Sequence, residues 1–566
     1  MSRTLEGVGA TPLSGVGTAR WYEPSIPEFE RESDDPEGER QRFADARDWA
    51  RAAIGEERER VAERVGEDEA SILDAHRQFL DDPQIESAVE AEIGDGATAE
   101  AAVEVAFADP IEQYEATGGR VAERADDLRD VRDRLLRTLA GVEDVALDSL
   151  PEDTILLAER LVPSDAAGLD PDRVTGLATV VGGRTAHAAI VARAIGLPAV
   201  VGVGEALRDV ENGTTLVVDG EAGTVIVDPD EETRAAARAE REVEVIEEHV
   251  ETADGTAVEV AANVGRPGEL EGALASGADG IGLYRTEFLF LDRSAPPDED
   301  EQFEAYSEAL RAFPDERIVV RTADVGGDKP IPYLDLPEET NPFLGVRGVR
   351  RSLGPDADLF ETQLRALLRA AGHAADSDEP TGDPAVMVPM VTEVAELEAV
   401  LERLSAIEED LRDAGEPVER PELGAMIETP AAVRMAAELA DRLEFLSIGT
   451  NDLTQYVMAA DRDNERVASL HDPLHPPVLR AIRATIEGGH AKDAWVGMCG
   501  EMAGDPALTE LLLGLGLDEL SASAVTIPQV KAQVRETETS AAESLAAAAL
   551  EAETREDVGA ILELDR

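Results

Sequence analysis

Gly424-Ala-Met-Ile-Glu-Thr-Pro430 holds one complete unit of a fold in seven residues. A short apolar strand runs to Ile427, a carboxylate follows at Glu428, and Pro430 stands at a first helical position, where its missing N–H is harmless. The same order recurs through the second half of the chain. From Ala257 onward, eight short apolar strands begin near Val258, Gly280, Arg317, Ala385, Leu423, Phe445, Ala494 and Glu519, each followed by a helical or loop stretch. Eight strands alternating with helices over about 300 residues predict a (β/α)8 TIM barrel rather than an open doubly wound sheet.

The placement of polar residues tips that choice. Gly280-Ile-Gly-Leu-Tyr284 ends in Arg285-Thr286-Glu287, Arg317-Ile-Val-Val320 in Arg321-Thr-Ala-Asp324, and Phe445-Leu-Ser-Ile448 in Gly449-Thr450-Asn451-Asp452. Trp495-Val-Gly-Met498 ends in Cys499-Gly500-Glu501, so with Glu428 five strands discharge charged or reactive residues at their C-terminal ends, where barrel active sites lie. Glu428 and Asp452 are hard oxygen ligands suited to Mg2+. Arg285, Arg321 and Arg462 can fork onto phosphate or carboxylate oxygens. Arg347, in Asn341-Pro-Phe-Leu-Gly-Val-Arg347, either faces a ligand or makes a structural pair. Cys499 is either a proton donor or an inert buried thiol. Together these groups fit a small substrate bearing both phosphate and carboxylate.

Ahead of the barrel the texture changes twice. Residues 4–22 read as a short strand or two, and Glu28 to Leu139 is helical, with apolar spacings of three and four. From about Leu147 short strands return, including Gly176-Leu-Ala-Thr-Val-Val181 and a hairpin through Gly220-Glu-Ala-Gly223. The helical segment is thus inserted into a small α/β domain, and residues 230–250, rich in Ala, Glu and Arg, read as a linker helix. In that α/β domain, Gly182-Gly-Arg-Thr-Ala-His187 places a histidine in the first turn of a helix. Unpaired N–H groups there welcome phosphate and keep imidazole neutral, which makes His187 a phosphoryl acceptor or else a cap on a buried turn.

Composition narrows the setting. The 566 residues hold 122 acidic and 51 basic side chains, a net charge of −71, and lysine occurs only at 329, 492 and 531. With 43% hydrophobic residues the chain is not a disordered polyacid, and an acidic, lysine-poor surface suits a cytoplasm at molar salt. Such a charge argues against nucleic acid or an anionic membrane as partner. No apolar run approaches membrane-spanning length and the N-terminus lacks a signal-peptide core, so a cytoplasmic location without membrane insertion is expected. Cys499 is the single cysteine, which leaves no internal disulfide.

Six blocks, in order, resemble enzyme I of the phosphoenolpyruvate-dependent sugar phosphotransferase system. They are Gly182–His187, Leu283–Phe290, Arg321–Lys329, Asn341–Gly345, Ile448–Tyr456 and Gly497–Glu501. The helical stretch Glu69–Pro83 looks like that family's phosphocarrier-binding insert. The resemblance implies that His187 is phosphorylated on Nε2, that Arg285 and Arg321 grip phosphoenolpyruvate with Asn451 and Arg462 assisting, and that Glu428 and Asp452 hold Mg2+. It further implies that Cys499 protonates the departing enolate to pyruvate, that the phosphocarrier HPr is the partner, and that a homodimer forms through the barrel. The implied domains are an α/β phosphohistidine domain (1–24 and 144–229), a helical HPr-binding domain (25–143), the linker (230–250) as hinge region, and the barrel (251–566). Ala186 stands where the family usually has Ser, and Val180-Val181 where a polar residue often precedes the double glycine. Both lean toward phosphoenolpyruvate synthases and dikinases, but the mostly helical residues ahead of the histidine domain carry no glycine-rich phosphate loop for a nucleotide. A second alternative is a regulatory phosphorelay, in which the partner is an HPr paralogue that reports on metabolism and sugar uptake is secondary.

Overall fold

The computed structural model describes the chain except at residues 1, 12, 23–25, 65–72, 74–75, 118–119, 143–146, 148–149, 162–168, 171–172, 183–188, 190–191, 193–195, 221, 242, 292, 294, 327–330, 332, 335, 337–338, 378, 463, 465, 468–469 and 564–566. The reading of His187 and its glycine turn therefore lies outside the described residues, as do most of 69–75 and the points chosen as domain boundaries near 24 and 144. The chain divides into two compact units, Met1–Glu242 and Val243–Arg566.

In the first unit an eight-stranded sheet gathers strands from both sides of a helical insertion. Its strands are β1 (Arg3–Glu6), β2 (Val8–Gly9), β3 (Ser14–Tyr22), β4 (Thr154–Ala158), β5 (Val174–Thr179), β6 (Ala199–Val201), β7 (Thr215–Asp219) and β8 (Thr224–Val227), in the order β1-β8-β7-β3-β4-β5-β6-β2. β3 pairs in parallel with β4, Thr18 opposite Thr154, although more than a hundred residues separate them. β7 and β8 form the expected antiparallel hairpin. Between β3 and β4 lie the helices Pro36–Arg64, Pro83–Gly94, Ala99–Thr117 and Arg120–Ala140. They close on a core of their own, including Ile54, Val89, Ile93, Phe107, Leu128 and Leu135, separate from the clusters on the two sheet faces.

The second unit is the barrel. β9 (Val250–Glu251) precedes eight parallel strands: β10 (Ala257–Val264), β11 (Gly280–Arg285), β12 (Arg317–Arg321), β13 (Asp383–Val388), β14 (Glu422–Ile427), β15 (Phe445–Gly449), β16 (Trp495–Cys499) and β17 (Glu519–Ala522). β10 pairs with both β11 and β17, which closes the ring, and β9 lies antiparallel against β10 outside it. The strands alternate strictly enough to show why. In β15, Leu446 and Ile448 face the helix layer, whereas Phe445 packs inside with Leu283, Val319, Met387, Met426 and Cys499. Thr429 caps the helix that follows β14, its Oγ1 accepting the Ala432 N–H at 3.1 Å, with Pro430 behind it at the first helical position.

The linker departs from expectation. Residues 230–250 do not form one helix: the helix is Glu231–Arg241, and residues 243–249 are non-helical. Two tertiary attachments override the helical propensity of the segment. Ala237 packs with Val16 and Val217 on the first unit's sheet. Beyond it, the Lys531 ammonium, fully buried, donates to the carbonyls of Ile246 at 3.1 Å and Glu248 at 3.0 Å and to Asp279 Oδ1 at 2.6 Å. Three donors thus meet three acceptors, and Asp279 Oδ2 takes the Val260 N–H at 3.0 Å. Gly277, at φ +77°, lets the strap lie close, since a Cβ there would sit 2.4 Å from the Ile246 oxygen. The second unit accordingly starts at Val243 rather than 251.

Lys531→Met leaves Asp279 charged and buried without its partner, which should cost about 3–5 kcal/mol of unfolding free energy in urea titrations. Adding Asp279→Asn should recover most of that loss. A single variant within about 1 kcal/mol of the parent would show that the pair does not hold the strap.

Candidate functional site

The C-terminal ends of the barrel strands carry the charged residues. Arg285 closes β11 and Arg321 closes β12, and the two are opposed partners in that pair. Arg321, 7% exposed, makes a close ion pair with Glu287, lies 3.6 Å from Asp324 Oδ2 and reaches Met426 Sδ at 3.5 Å. Burial alone would lower its pKa, but the carboxylates of Glu287, Asp324 and Glu428 outweigh that and keep it charged. Arg285 stacks its guanidinium 4.9 Å over the Phe288 ring, which leaves the group at the mouth beside Arg321.

Glu428 follows β14 and is 1% exposed, with its Oε1 accepting the Met390 N–H at 2.6 Å. Gly449, at the end of the neighbouring β15, gives it room: a Cβ there would stand 3.1 Å from Glu428 Oε2 and 3.0 Å from Met426 Sδ. Asp452 lies in the first turn of the helix Thr450–Met458. Arg347 sits between Asp452 and Asp324. It donates from Nε and Nη2 to Asp324 at 3.1 and 2.8 Å, and from Nη1 and Nη2 to Asp452 at 2.9 Å each. Burial first, then the negative charges of Asp452 and Asp324, push the Glu428 carboxyl up to about 8, with Arg347 and Arg321 pulling the other way.

Cys499 closes β16, 3% exposed, and receives the Ser447 hydroxyl on its sulfur at 3.6 Å. Burial pushes its thiol up to about 11, so it carries its proton at neutral pH. Arg462 stands at the rim, Nη1 4.0 Å from Asp452 Oδ1 and its guanidinium 5.4 Å from the Phe343 ring. Asn451 opens the same helix as Asp452 and accepts a bond from His471 Nε2 on its backbone oxygen at 2.8 Å.

The structure thus gathers Arg321, Arg347, Glu428, Asp452 and Cys499 in one buried cluster, with Arg285, Asn451 and Arg462 at its edge. Arg347, for which the sequence allowed two readings, is paired. Asp324 and Glu287 are structural members of the cluster that did not stand out as candidates. Each was visible as a carboxylate just past a barrel strand, the same signal that marked Glu428. Among the described residues no three His, Cys, Asp or Glu side chains form a ready metal cage. Two carboxylates that leave the remaining positions to water and substrate oxygens are nonetheless what a small, hard divalent cation takes.

Residues 239–539 match the description "PEP-utilising enzyme, PEP-binding domain". The chain belongs to the phosphoenolpyruvate-utilising enzyme family. Residues 150–223 match the mobile domain of these enzymes, a span that contains position 187, and residues 6–124 match their N-terminal domain. Within the family the chain is 59% identical to the phosphoenolpyruvate-protein phosphotransferase of Haloferax volcanii over 574 aligned positions, covering 100% of both chains. It is 40% identical to the protein of that description from Bacillus subtilis, over 99% of each chain.

The charge state of Glu428 would set a pH dependence for any cation bound there. A carboxyl held at about 8 is mostly protonated at pH 7, so a divalent cation ligated by Glu428 would have to displace that proton. Apparent affinity should rise by up to about tenfold per pH unit below pH 8 and level off above it. Calorimetry of Mn2+ binding at pH 7, in buffers of different ionisation enthalpy, reads the proton directly. No buffer dependence would mean that Glu428 is already ionised.

Proposed function

We propose that this chain transfers the phosphoryl group of phosphoenolpyruvate to His187 and from there to the phosphocarrier HPr, releasing pyruvate as the first step of phosphotransferase-system sugar uptake. The observation that carries the reading is the buried arginine–carboxylate cluster at the barrel mouth, in a chain that matches phosphoenolpyruvate-protein phosphotransferases from end to end. Arg285 and Arg321 would grip the phosphate and carboxylate oxygens, with Asn451, Arg462 and Arg347 completing the cradle. Glu428 and Asp452 would hold a divalent cation, in our reading Mg2+, which when bound adds positive charge beside the phosphate. With the substrate so clamped, the P–O bond breaks as the bond from His187 Nε2 to phosphorus forms, and the electron pair stays on the leaving enolate. Cys499 supplies the proton to C3 of that enolate, which gives pyruvate, and its thiolate recovers a proton from water. Because phosphoryl transfer rests on positioning and charge, fixed guanidinium groups are the expected machinery.

The remaining assignments belong to the same proposal. The sheet of the first unit would be the phosphohistidine domain, the helical insertion the HPr-binding domain, and the barrel the dimerisation domain of a homodimer working in the cytoplasm. No described helix is long and apolar enough to cross a membrane. In the helical insertion Trp49 is 53% and Val105 48% exposed, which supports an HPr interface that leans on apolar contact where salt screens charge.

Labelled phosphoenolpyruvate in molar KCl with Mg2+ tests the reading. The parent chain should take up acid-labile label without nucleotide and pass it to HPr with release of pyruvate, whereas His187→Ala should take up none. Label that ignores HPr but leaves on addition of AMP or ADP would place the chain with the synthases and dikinases instead. Arg321→Met should lower kcat/KM by about 10²- to 10³-fold, and Cys499→Ala should slow pyruvate formation by about 10²- to 10⁴-fold. Rates within a factor of about three of the parent in either variant would remove that residue from the mechanism.

A further inference from the structure

Arg347 engages both oxygens of Asp452, and Asp452 is one of two residues assigned to a divalent cation. The two occupants compete. A guanidinium forked onto a carboxylate uses the in-plane lone pairs that a hard cation would take, and two positive groups on one buried carboxylate repel each other. Asp452 is 7% exposed, Asp324 1% and Arg347 3%, so solvent screening is weak and the competition is strong.

We propose that Arg347 occupies the cation's place on Asp452 in the free protein, yields it when the cation binds, and is kept in the site throughout by Asp324. This rests on the cation assignment made above. Asp324 is the second partner of the same fork, through Nε at 3.1 Å and Nη2 at 2.8 Å. Released from Asp452, the guanidinium therefore stays attached by one edge, and its Nη1 edge becomes available to an anionic oxygen of the substrate. The main chain next to it is fixed while the side chain turns. Gly348 holds φ +55°, its N–H donates to the Val325 oxygen at 3.1 Å, and a Cβ on it would stand 2.8 Å from the Met390 Cβ. Tyr456 and Phe343 complete the seat: Arg347 Nη1 reaches the Tyr456 hydroxyl at 3.4 Å, and that hydroxyl donates to the Phe343 carbonyl. The exchange links the order of events. Cation binding frees the arginine, and the freed arginine favours the substrate phosphate, so each ligand raises the affinity of the site for the other.

Mn2+ binding to the full chain without phosphoenolpyruvate, read by the EPR signal of the free ion, tests the exchange apart from any activity. Arg347→Lys keeps the charge and loses the fork, and should bind Mn2+ about tenfold more tightly than the parent. Arg369→Lys makes the same chemical change at an arginine that pairs with Glu299 and Asp300 outside the site, and should stay within about twofold. Unchanged or weaker binding in Arg347→Lys, or equal tightening in both variants, overturns the proposal. The parent protein gives a measurement that needs no variant to fold. Its arginine side-chain NMR signals should include one guanidinium whose Nη1 protons shift and exchange faster when MgCl2 is added, while its Nε–H stays protected by Asp324. Guanidinium signals that are all unchanged at saturating MgCl2 speak against the exchange. For the role of Asp324 as a positioning residue, Asp324→Asn should raise the KM for phosphoenolpyruvate by about tenfold with a smaller change in kcat. An equal loss in both constants, or none, would leave Asp324 a purely structural partner. A chain that binds Mn2+ as described but takes no label from phosphoenolpyruvate would keep the exchange and discard the transfer reaction, so the two failures are distinguishable.

Discussion

The pairing of buried guanidinium groups with buried carboxylates is the constraint on which the barrel mouth depends. Arg321 and Arg347 are both less than a tenth exposed, and neither charge would persist there alone. Each is held by carboxylates that come from other strand ends, Glu287 for Arg321 and Asp324 with Asp452 for Arg347. The two guanidinium groups are therefore held in place by carboxylates of the protein itself. Glu428 is buried in the same cluster, and burial first, then the charges of Asp452 and Asp324, hold its proton above the usual carboxylate range.

Perturbed titration by itself would have pointed to a second place. Glu519 opens β17 at the opposite end of the barrel, is 1% exposed, and makes no hydrogen bond through either oxygen. Burial and the neighbouring Glu259 hold its carboxyl well above the carboxylate range. Yet it stands at a strand's N-terminal end, beside the stacked rings of Phe445 and Trp495 and the Arg317 guanidinium 4.1 Å over Trp495. That end of a barrel bears on its packing, whereas the C-terminal end bears on chemistry. Position in the fold separates two carboxyls that desolvation alone would treat alike.

How much of this was legible in the residues follows from the range of each interaction. The barrel strands begin within two residues of the expected positions, because alternation, furnished ends and turns are local signals. The Glu428 unit was readable for the same reason. The linker misled because Ala, Glu and Arg favour a helix throughout 230–250, while the capture of the Ile246 and Glu248 carbonyls by Lys531 comes from nearly three hundred residues away. Asp324 could be seen at its strand end, but which guanidinium it holds is decided by the closing of the ring. Two charges far apart in the chain, Arg347 and Asp452, meet only because β12 and β15 deliver them to the same mouth.

The strap beneath Lys531 has a consequence for how such a chain is assembled and inherited. Ala237 packs within the first unit and the Ile246 carbonyl is held within the second, so the division between the units falls between two separately anchored segments. A join of that kind behaves as a seam. Genes encoding the two units can be fused, separated or recombined there with each product retaining its own core, and the barrel with its arginine–carboxylate mouth is free to serve different donor domains over evolutionary time.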